Sequence, residues 1–279
     1  MVVQHNMQAM NANRTLGITT DSQKKVTEKL SSGYKVNRAA DDAAGLTISE
    51  KMRSQIRGLT QASSNAQDGI SCVQTAEGAL TEVHSMLQRM NELAVKAANG
   101  TNTSADRLAI EKEVSALSAE ISRVAQSTQF NTLNLLNGSF SSGKTLQVGT
   151  ANVDAQRITI KISAMNATTL GVKAGNISDG VDLTTQTNAQ KSISKITMAI
   201  ARVSAQRSDL GAVQNRLEHT IANLDNVVEN TTAAESQIRD TDMAKTMVEY
   251  TKNNILAQAG TSMLAQANQS TQNVLSLLS

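Results

Sequence analysis

One short stretch of this sequence has the residue types and spacing of a nucleotide-binding loop. The segment GSFSSGKT, Gly138 to Thr145, matches the pattern G-x-x-x-x-G-K-[ST], in which backbone N–H groups and a lysine hold phosphates. A working loop of this type leads directly into a helix whose N-terminus faces the phosphates. Here the following residues, LQVGTANVDAQRITIKI, alternate apolar and polar side chains, which is typical of a β-hairpin. We therefore expect a chance match in a turn, and a P-loop nucleotide hydrolase stays only as an alternative.

The other residue types that often carry chemistry are scattered along the chain. His5, His84 and His219 lie far apart and fit no zinc-binding spacing. Cys72 is the only cysteine, and it has no basic neighbour or motif histidine, so we expect a free structural thiol rather than a nucleophile. The sequence thus predicts no catalytic residue, no metal site and no cofactor, and the protein is expected not to be an enzyme.

The composition narrows the class of protein further. Proline and tryptophan are absent and Phe and Tyr number two each, so any core must consist of aliphatic residues and the 11 Met. The absence of proline favours long uninterrupted elements. A formal net charge of +2 provides no basic stripe for nucleic acid, and there is no run of about 18 apolar residues that would favour membrane insertion. We expect neither nucleic acid nor membrane as a partner.

Apolar residues at helical spacing dominate the first hundred positions. The pattern runs from 2 to 34, with Gly33 as the expected interruption, and again from 46 to 98 almost without pause. Between these segments, Asp41 and Asp42 stand where acidic side chains favour a helix N-terminus. Capping explains them better than a paired-carboxylate acid/base site, because adjacent residues on a helix do not face each other.

A sharp break is predicted after the second of these helices. The sequence NGTNTSAD indicates a left-handed C-cap at Asn99-Gly100 and a new N-cap at Ser104. The next helix is expected from 105 to about 126. The short connection between the two helices indicates an antiparallel pair.

The middle of the chain changes to strand-like alternation, and helical spacing then returns. Residues 145–149 and 157–162 are predicted to form a hairpin, and 163–187, rich in Asn, Thr, Ser and Gly, is predicted to be exposed loop and short strand. Residues 188–229 and 233–279 are predicted helices. The fold class is therefore mainly α: a long antiparallel helical rod or coiled coil with a small β-hairpin region in the middle of the chain.

The two ends of the chain carry amphipathic stripes that neither segment can bury alone. Most helical stability in water comes from packing an apolar face against something else. We therefore expect the ends to pack against each other or against neighbouring molecules.

The same two ends carry a resemblance to a known family. The run LSSGYKVNRAADDAAGLTISEKMRSQIRGLTQASSNAQDGISCVQTAEGAL resembles the N-terminal region of bacterial flagellins. The run RSDLGAVQNRLEHTIANLDNVVENTTAAESQIRDTDMAKTMVEYTKNNILAQAGTSMLAQANQSTQNVLSLLS resembles their C-terminal region. The resemblance covers about residues 1–140 and 188–279, and what lies between leaves no room for the large outer domains of many relatives.

The resemblance implies a domain order. The expected segments are an N-terminal inner-core helix, 1–40, which pairs with the C-terminal arm; an N-terminal helical rod, 41–138; the hairpin and shortened variable region, 139–187; a C-terminal rod helix, 188–235; and a C-terminal inner-core helix, 236–279.

It also implies a function, a location and partners. The chain is expected to polymerise into the flagellar filament for swimming motility, after export in an unfolded state by the flagellar type III system to the extracellular flagellum. The implied partners are copies of itself, an export chaperone and the export apparatus, and the filament cap and hook-junction proteins. A hook-filament junction protein, which has similar ends, is the alternative.

Two recognition sites are also implied by the resemblance. The stretch LQRMNELAV is similar to the one that the flagellin-sensing Toll-like receptor of hosts contacts, and it implies Gln88, Arg89, Glu92 and Leu93, with Glu113 on the following helix. The alternative is that these residues hold subunits together.

The C-terminal VLSLLS is similar to the tail sensed by cytosolic NAIP-type receptors and implies Leu275, Leu277 and Leu278. The same leucines suit a coiled-coil core in the assembly. The tail is also where we expect an export chaperone to bind, since an apolar amphipathic helix needs cover before assembly.

Overall fold

The structure is a computed structural model that describes residues 6–175 and 180–276, with the backbone alone for 271–276. Its helices are α1 Met7–Ser32, α2 Ala43–Ala97, α3 Ser104–Ser127, α4 Ala167–Leu170, α5 Gln186–Arg239 and α6 Met243–Ser276. Its strands are β1 Gln129–Phe130, β2 Leu133–Asn134, β3 Lys144–Gln147, β4 Arg157–Ile160, β5 Lys173–Ala174 and β6 Gly180–Val181. The predicted mainly α fold is confirmed.

The chain divides into two units, each of which is described by itself. One unit, called the terminal unit below, consists of Met1–Ile56 and Glu229–Ser279, and the other, the central unit, of Arg57–Val228. This division differs from the five segments implied by the resemblance, whose bounds remain a prediction.

In the terminal unit, α1 packs against α6. The Asn6 side chain accepts a hydrogen bond from the Ala9 N–H (3.0 Å) and so caps α1, and its amide donates to the Ala267 carbonyl of α6 (2.9 Å). Farther along, a Cβ added at Gly260 would come within 3.1 Å of a Leu16 methyl. The absence of a side chain at Gly260 therefore allows the two helices to approach closely.

The connection from α1 to α2 follows the capping residues expected from the sequence. Gly33 ends α1 with a φ of 76°, the left-handed conformation that glycine adopts without strain, and its N–H donates to the Lys29 carbonyl (2.9 Å). The Asp42 carboxylate accepts from the Gly45 N–H (2.9 Å) at the start of α2. Asp41 accepts from the Arg38 N–H (3.1 Å) in the preceding turn, and this bond lowers the pKa of the Asp41 carboxyl.

The predicted left-handed cap at Asn99-Gly100 is wrong. Helix α2 ends at Ala97, and neither residue has a positive φ. The free carbonyls are satisfied by side chains instead, because the Arg107 guanidinium donates to the carbonyls of Ala97 and Asn99 (both 3.0 Å) and the Asn102 amide donates to Lys96.

The predicted N-cap of α3 is wrong by one residue. Ser104 is already helical, and Thr103 caps the helix: its hydroxyl accepts from the Asp106 N–H (3.3 Å), while the Asp106 carboxylate accepts from the Thr103 N–H (2.9 Å). This reciprocal capping box satisfies two N–H groups that the helix start leaves free. The hydrogen bonds from Thr103 also lower the pKa of Asp106.

The predicted hairpin is confirmed with slightly shorter strands. β3 pairs antiparallel with β4, with Lys144 opposite Ile160 and Gln147 opposite Arg157. Strand β4 has the expected alternation, since Ile158 and Ile160 are buried and Thr159 between them is exposed.

The prediction of exposed loop and short strand at 163–187 is right about the short strands and wrong about the exposure. The segment holds α4, β5 and β6, which pairs in parallel with β5, and it contributes buried side chains to the core: Met165, Ala167, Leu170, Val172, Val181 and Leu183. α4 and β5 contact α3. The abundant Asn, Ser, Thr and Gly conceal this apolar set, because no two of its members are adjacent in the sequence. Residues 176–179 lie outside the described part of the chain.

The core of the central unit is built from aliphatic side chains on α2, α3 and α5. Its largest fully buried members on these helices are Leu80, Leu87, Met90, Ile121, Ile196, Leu210 and Leu217. Cys72 is buried at its edge as a free thiol, as expected, and burial raises its pKa. The described part of the chain contains no helix long and apolar enough to cross a membrane.

One buried polar side chain ties the hairpin segment to α5. Gln206 is 6% exposed; its carbonyl accepts from the Ser163 N–H (3.1 Å) and its amide donates to the Lys161 carbonyl (3.0 Å). Gln206 therefore provides the backbone of the segment after β4 with the hydrogen bonds that a further strand would provide.

We expect Gln206→Ala to lower the free energy of unfolding of the central unit by about 1–3 kcal/mol, because two backbone groups lose their partners. Urea denaturation followed by circular dichroism measures this difference. Gln214→Ala on the same helix is the matched control. The Gln214 amide donates to the Glu218 side chain one turn away, so the effect of this substitution should stay within about 0.5 kcal/mol. Equal effects of the two substitutions would contradict the prediction.

Candidate functional site

The terminal unit exposes large apolar side chains on both of its long helices. Their exposed fractions lie between 46% and 68%. They are Met7, Met10 and Ile18 on α1, and Met243, Met247, Val248, Ile255, Leu256 and Met263 on α6. Large apolar side chains exposed in such number mark a surface that another molecule covers.

The exposed apolar side chains of α6 are distributed around much of the circumference of this helix. Successive residues advance by about 100° around an α-helix, so positions seven apart lie on nearly the same side. Val248 and Ile255 share one side, Leu256 and Met263 share the next, and Met243 and Met247 lie on a third. A helix that is apolar on several sides is characteristic of a buried position. Contact with α1 covers only a part of this surface, so α6 requires other neighbours.

A groove of about 610 Å³ runs between α1 and α6. Its lining includes Ala12 and Leu16 from α1, Leu256, Gly260 and Met263 from α6, and polar residues of both helices. The groove is open to solvent and is continuous with the exposed side of α6 that carries Leu256 and Met263. It extends the candidate contact surface onto α1.

A second feature of the terminal unit joins the two places where its long helices break. The chain turns after Gly33, between α1 and α2, and again at Asp240, between α5 and α6. Lys35 N–H donates to the Arg239 carbonyl (2.6 Å) and Thr241 N–H donates to the Gly33 carbonyl (3.0 Å), which forms an antiparallel bridge between Tyr34 and Asp240. The two breaks are thereby held side by side.

The Arg239 side chain reinforces this bridge. Its guanidinium carbon lies 4.7 Å from the centre of the Tyr34 ring, and Nη1 donates to Glu50 Oε1 of α2 (2.8 Å). The Arg239 side chain is only 12% exposed. The hydrogen bond from Arg239 is the largest of the effects that lower the pKa of Glu50, and Arg53 adds to it. We call Tyr34, Glu50 and Arg239 the arginine clamp.

Sequence reasoning missed the arginine clamp. Glu50 and Arg239 are 189 positions apart, and no local pattern connects them. The available signal was Tyr34 itself, one of two tyrosines, placed directly after the glycine that ends α1.

The structure brings together three of the five residues assigned to the Toll-like receptor patch. Arg89 donates through Nε and Nη2 to Glu113 Oε1 (3.0 and 2.9 Å) and through Nη1 to Glu92 Oε2 (3.1 Å). All three side chains are exposed, and Lys96 and Ile110 line the shallow depression beside them. Arg89 thus links α2 to α3 across an accessible surface.

The other two residues of that set lie differently. Gln88 is exposed, and its amide lies 3.1 Å from the His84 ring nitrogen Nε2. Leu93 is 3% exposed and belongs to the core between the helices. Leu93 therefore lines the depression with only a small exposed part of its side chain.

Only a part of the C-terminal prediction falls within the structure. Leu275 lies in α6, where the backbone alone is described, and Leu277 and Leu278 lie outside the described residues. His5 lies outside them as well. In the described ranges, no group of three His, Cys, Asp or Glu side chains is placed to hold a metal ion, so neither His84 nor His219 belongs to such a group.

The stretch that matches a nucleotide-binding loop leads into a strand. Lys144 and Thr145 are the first residues of β3, and the Lys144 ammonium lies 5.9 Å from the centre of the Phe140 ring. The helix that would direct its N-terminus at phosphates is replaced by the hairpin, as the alternating pattern predicted.

Comparisons with known proteins agree with the resemblance at both ends. The family model described as bacterial flagellin N-terminal helical region matches residues 3–141, and that of the bacterial flagellin C-terminal helical region matches residues 193–278. The chain is 53% identical over 278 residues to a flagellin of Halalkalibacterium halodurans and 49% identical over 309 residues to a flagellin of Bacillus subtilis, with 100% of each chain covered.

One solved structure supports the fold alone. A putative flagellar hook-associated protein from Vibrio parahaemolyticus aligns with a TM-score of 0.59 at 16% identity, over 72% of this chain and 100% of that one. The alternative of a hook-filament junction protein is not favoured, because the relatives at about half identity are flagellins.

We expect Arg239→Ala to raise the pKa of the Glu50 carboxyl towards its ordinary value, because the strongest bond to the charged carboxylate is lost. Since the folded-state pKa of Glu50 is lowered, its contribution to stability is present above the ordinary pKa of Glu and is lost as the pH falls through the lowered value. NMR titration of ¹³C-labelled Glu side chains measures the pKa of Glu50 in wild type and variant. Tyr34→Phe, which keeps the ring, is the control and should leave the Glu50 titration unchanged; the same titration curve for Arg239→Ala and wild type would refute the clamp.

Proposed function

The chain belongs to the bacterial flagellin family, and from this membership we propose how it builds a filament: copies meet through the exposed apolar side chains of α1 and α6. Flagellins are the subunits of the flagellar filament, so the chain is a structural protein of motility. The observation that carries the proposed mode of assembly is the apolar character of α6 on several sides, which α1 alone does not cover.

The proposed contacts are of the heterologous type. One face of a copy meets a different face of the next, and a rotation that does not close produces an open helical polymer. The three apolar sides of α6 and the groove beside α1 give each copy several distinct contact surfaces. Burial of these side chains supplies the driving force at roughly 25 cal/mol per Å² of apolar surface removed from water.

We further propose that the chain is exported unfolded and folds at its extracellular destination. The composition supports this route: the absence of proline removes slow X-Pro isomerisation from refolding, and the single Cys72 requires no disulfide partner.

The same apolar sides of α6 would be the surface that an export chaperone covers before assembly. Cap and hook-junction proteins would meet the same surface at the ends of the polymer.

For recognition by a Toll-like receptor, we propose the exposed set of Arg89, Glu92 and Glu113. The three side chains carry both signs of charge at fixed positions on two helices, an arrangement suited to specific polar contacts. Gln88 adjoins this set on the same exposed surface, and Leu93 fixes the position of α2 below it.

Val248→Asn combined with Ile255→Asn should abolish polymerisation and leave the helix content of the monomer close to that of wild-type monomer. These two side chains are 68% and 66% exposed in the single chain, so the monomer loses little, whereas burying two unpaired amides in a contact is costly. Salt-induced polymerisation, followed by sedimentation and electron microscopy, measures assembly, and circular dichroism measures helix content.

Thr251→Asn is the matched control for this pair. It exchanges one exposed polar side chain for another on the same helix, and its filaments should form as in wild type. Normal filaments from the double variant would mean that this side of α6 is not a contact between copies.

Arg89→Ala should weaken receptor signalling by monomer, with the half-maximal concentration raised about tenfold or more, as expected when a central arginine of an interface is lost. Reporter cells that express the receptor measure this. Arg123→Ala is the control, because Arg123 is also an exposed arginine paired with a glutamate three positions away on its own helix, Glu120 of α3. Equal responses to both variants would remove Arg89 from the receptor site.

A further inference from the structure

Methionine is unusually exposed in the helices that carry the proposed assembly surface. Every methionine of α1 and α6 has an exposed fraction between 48% and 65%. These five, called the terminal methionines below, are Met7, Met10, Met243, Met247 and Met263.

Some other methionines of the chain are buried, as is usual for an apolar side chain. Met90 is fully buried and Met165 is 4% exposed, and both belong to the central core. Met198 on α5 is 55% exposed but lies in the central unit. The terminal methionines thus differ from the core methionines in accessibility, and from Met198 in their location.

An exposed thioether reacts with hydrogen peroxide. One oxygen atom of the peroxide is transferred to the methionine sulfur, which is oxidised to the sulfoxide, and the peroxide is reduced to water. The reaction is reversed by methionine sulfoxide reductases, in which enzyme thiols are oxidised to a disulfide as the sulfoxide oxygen leaves as water. The product side chain is polar and accepts hydrogen bonds.

We propose that the terminal methionines are peroxide-sensitive modification sites that control polymerisation of the monomer. The inference rests on the proposed function, because it requires α1 and α6 to form the contacts between copies. A sulfoxide in such a contact must be buried without a partner or must keep the contact open to water, and both weaken it. Burial of the sulfurs in the filament protects them, so the free subunit is the sensitive form.

The positions of these five side chains make the effect large. Met7 and Met10 occupy α1, Met243 and Met247 lie on one side of α6, and Met263 lies on another side beside the groove. Oxidation therefore places polar groups on three separate parts of the candidate contact surface at once. No single altered contact has to account for the loss of assembly.

The experiment compares purified monomer and assembled filament, each treated with hydrogen peroxide and analysed by peptide mass spectrometry. We expect sulfoxide at the terminal methionines of monomer, with at least about fivefold less at these positions in filament, as burial predicts. Treated monomer should need about tenfold or more higher concentration to polymerise, and incubation with both reductase types should restore assembly.

A matched variant assigns the effect to these side chains. Replacement of all five by leucine conserves volume and removes the sulfur, so peroxide should leave the concentration at which this variant polymerises at its own untreated value. Met198→Leu should remain as sensitive as wild type. Cys72 is present in both variants, so resistance of the five-fold variant also excludes the thiol as the cause.

Two results would overturn the proposal. The first is normal polymerisation of monomer whose terminal methionines are shown to be oxidised, and the second is equal oxidation of these positions in monomer and filament. The wild-type measurements decide the matter even where the leucine variant assembles poorly. If untreated monomer failed to polymerise at all, the proposed function would fail instead, so the two failures are distinguishable.

Discussion

The terminal unit depends on one constraint: α6 has more apolar surface than the rest of its own chain covers. Apolar side chains lie on several sides of this helix, and α1 packs against only a part of it. Among the described side chains of the terminal unit, the buried apolar ones are Val26, Val36 and Ala267. So small a core provides little stability by itself. The missing burial must come from other copies, which couples the folding of this unit to assembly.

In the central unit, by contrast, the chain itself covers most of the apolar side chains. Its aliphatic core closes within the chain, with Leu80 and Leu87 completely buried between α2 and its neighbours, and Gln206 satisfies backbone groups that the short hairpin leaves free. In the terminal unit, where the apolar core is very small, polar contacts hold parts of the chain together instead. The arginine clamp and the backbone bridge at Tyr34 hold two chain breaks together with very little buried apolar area.

Local patterns predicted most of the fold, and distant contacts account for most of what they missed. Helical periodicity predicted the long helices, and glycine and aspartate chemistry located the break at Gly33 and the cap at Asp42. The predicted break at 230–232 is wrong, because α5 continues to Arg239 and α6 begins at Met243. Thr103 and Ser104 are both good capping residues, but only Thr103 is followed three positions later by an acidic residue, Asp106, and this capping-box spacing is the signal that the prediction missed. Burial at 163–187 depends on contacts with α3, and the arginine clamp on contacts across most of the chain, and neither leaves a local pattern.

The proposed receptor site at Arg89, Glu92 and Glu113 shows that a resemblance predicts residue types better than it predicts their exposure. Leu93 matches the family stretch but is buried, whereas Arg89 is exposed and already hydrogen-bonded. A guanidinium has five N–H groups, and Glu92 and Glu113 occupy three of those of Arg89. The remaining two can donate to a receptor without breaking these bonds. Because the two carboxylates also fix the direction of the guanidinium, Arg89 is pre-organised, and little conformational entropy is lost when a partner binds.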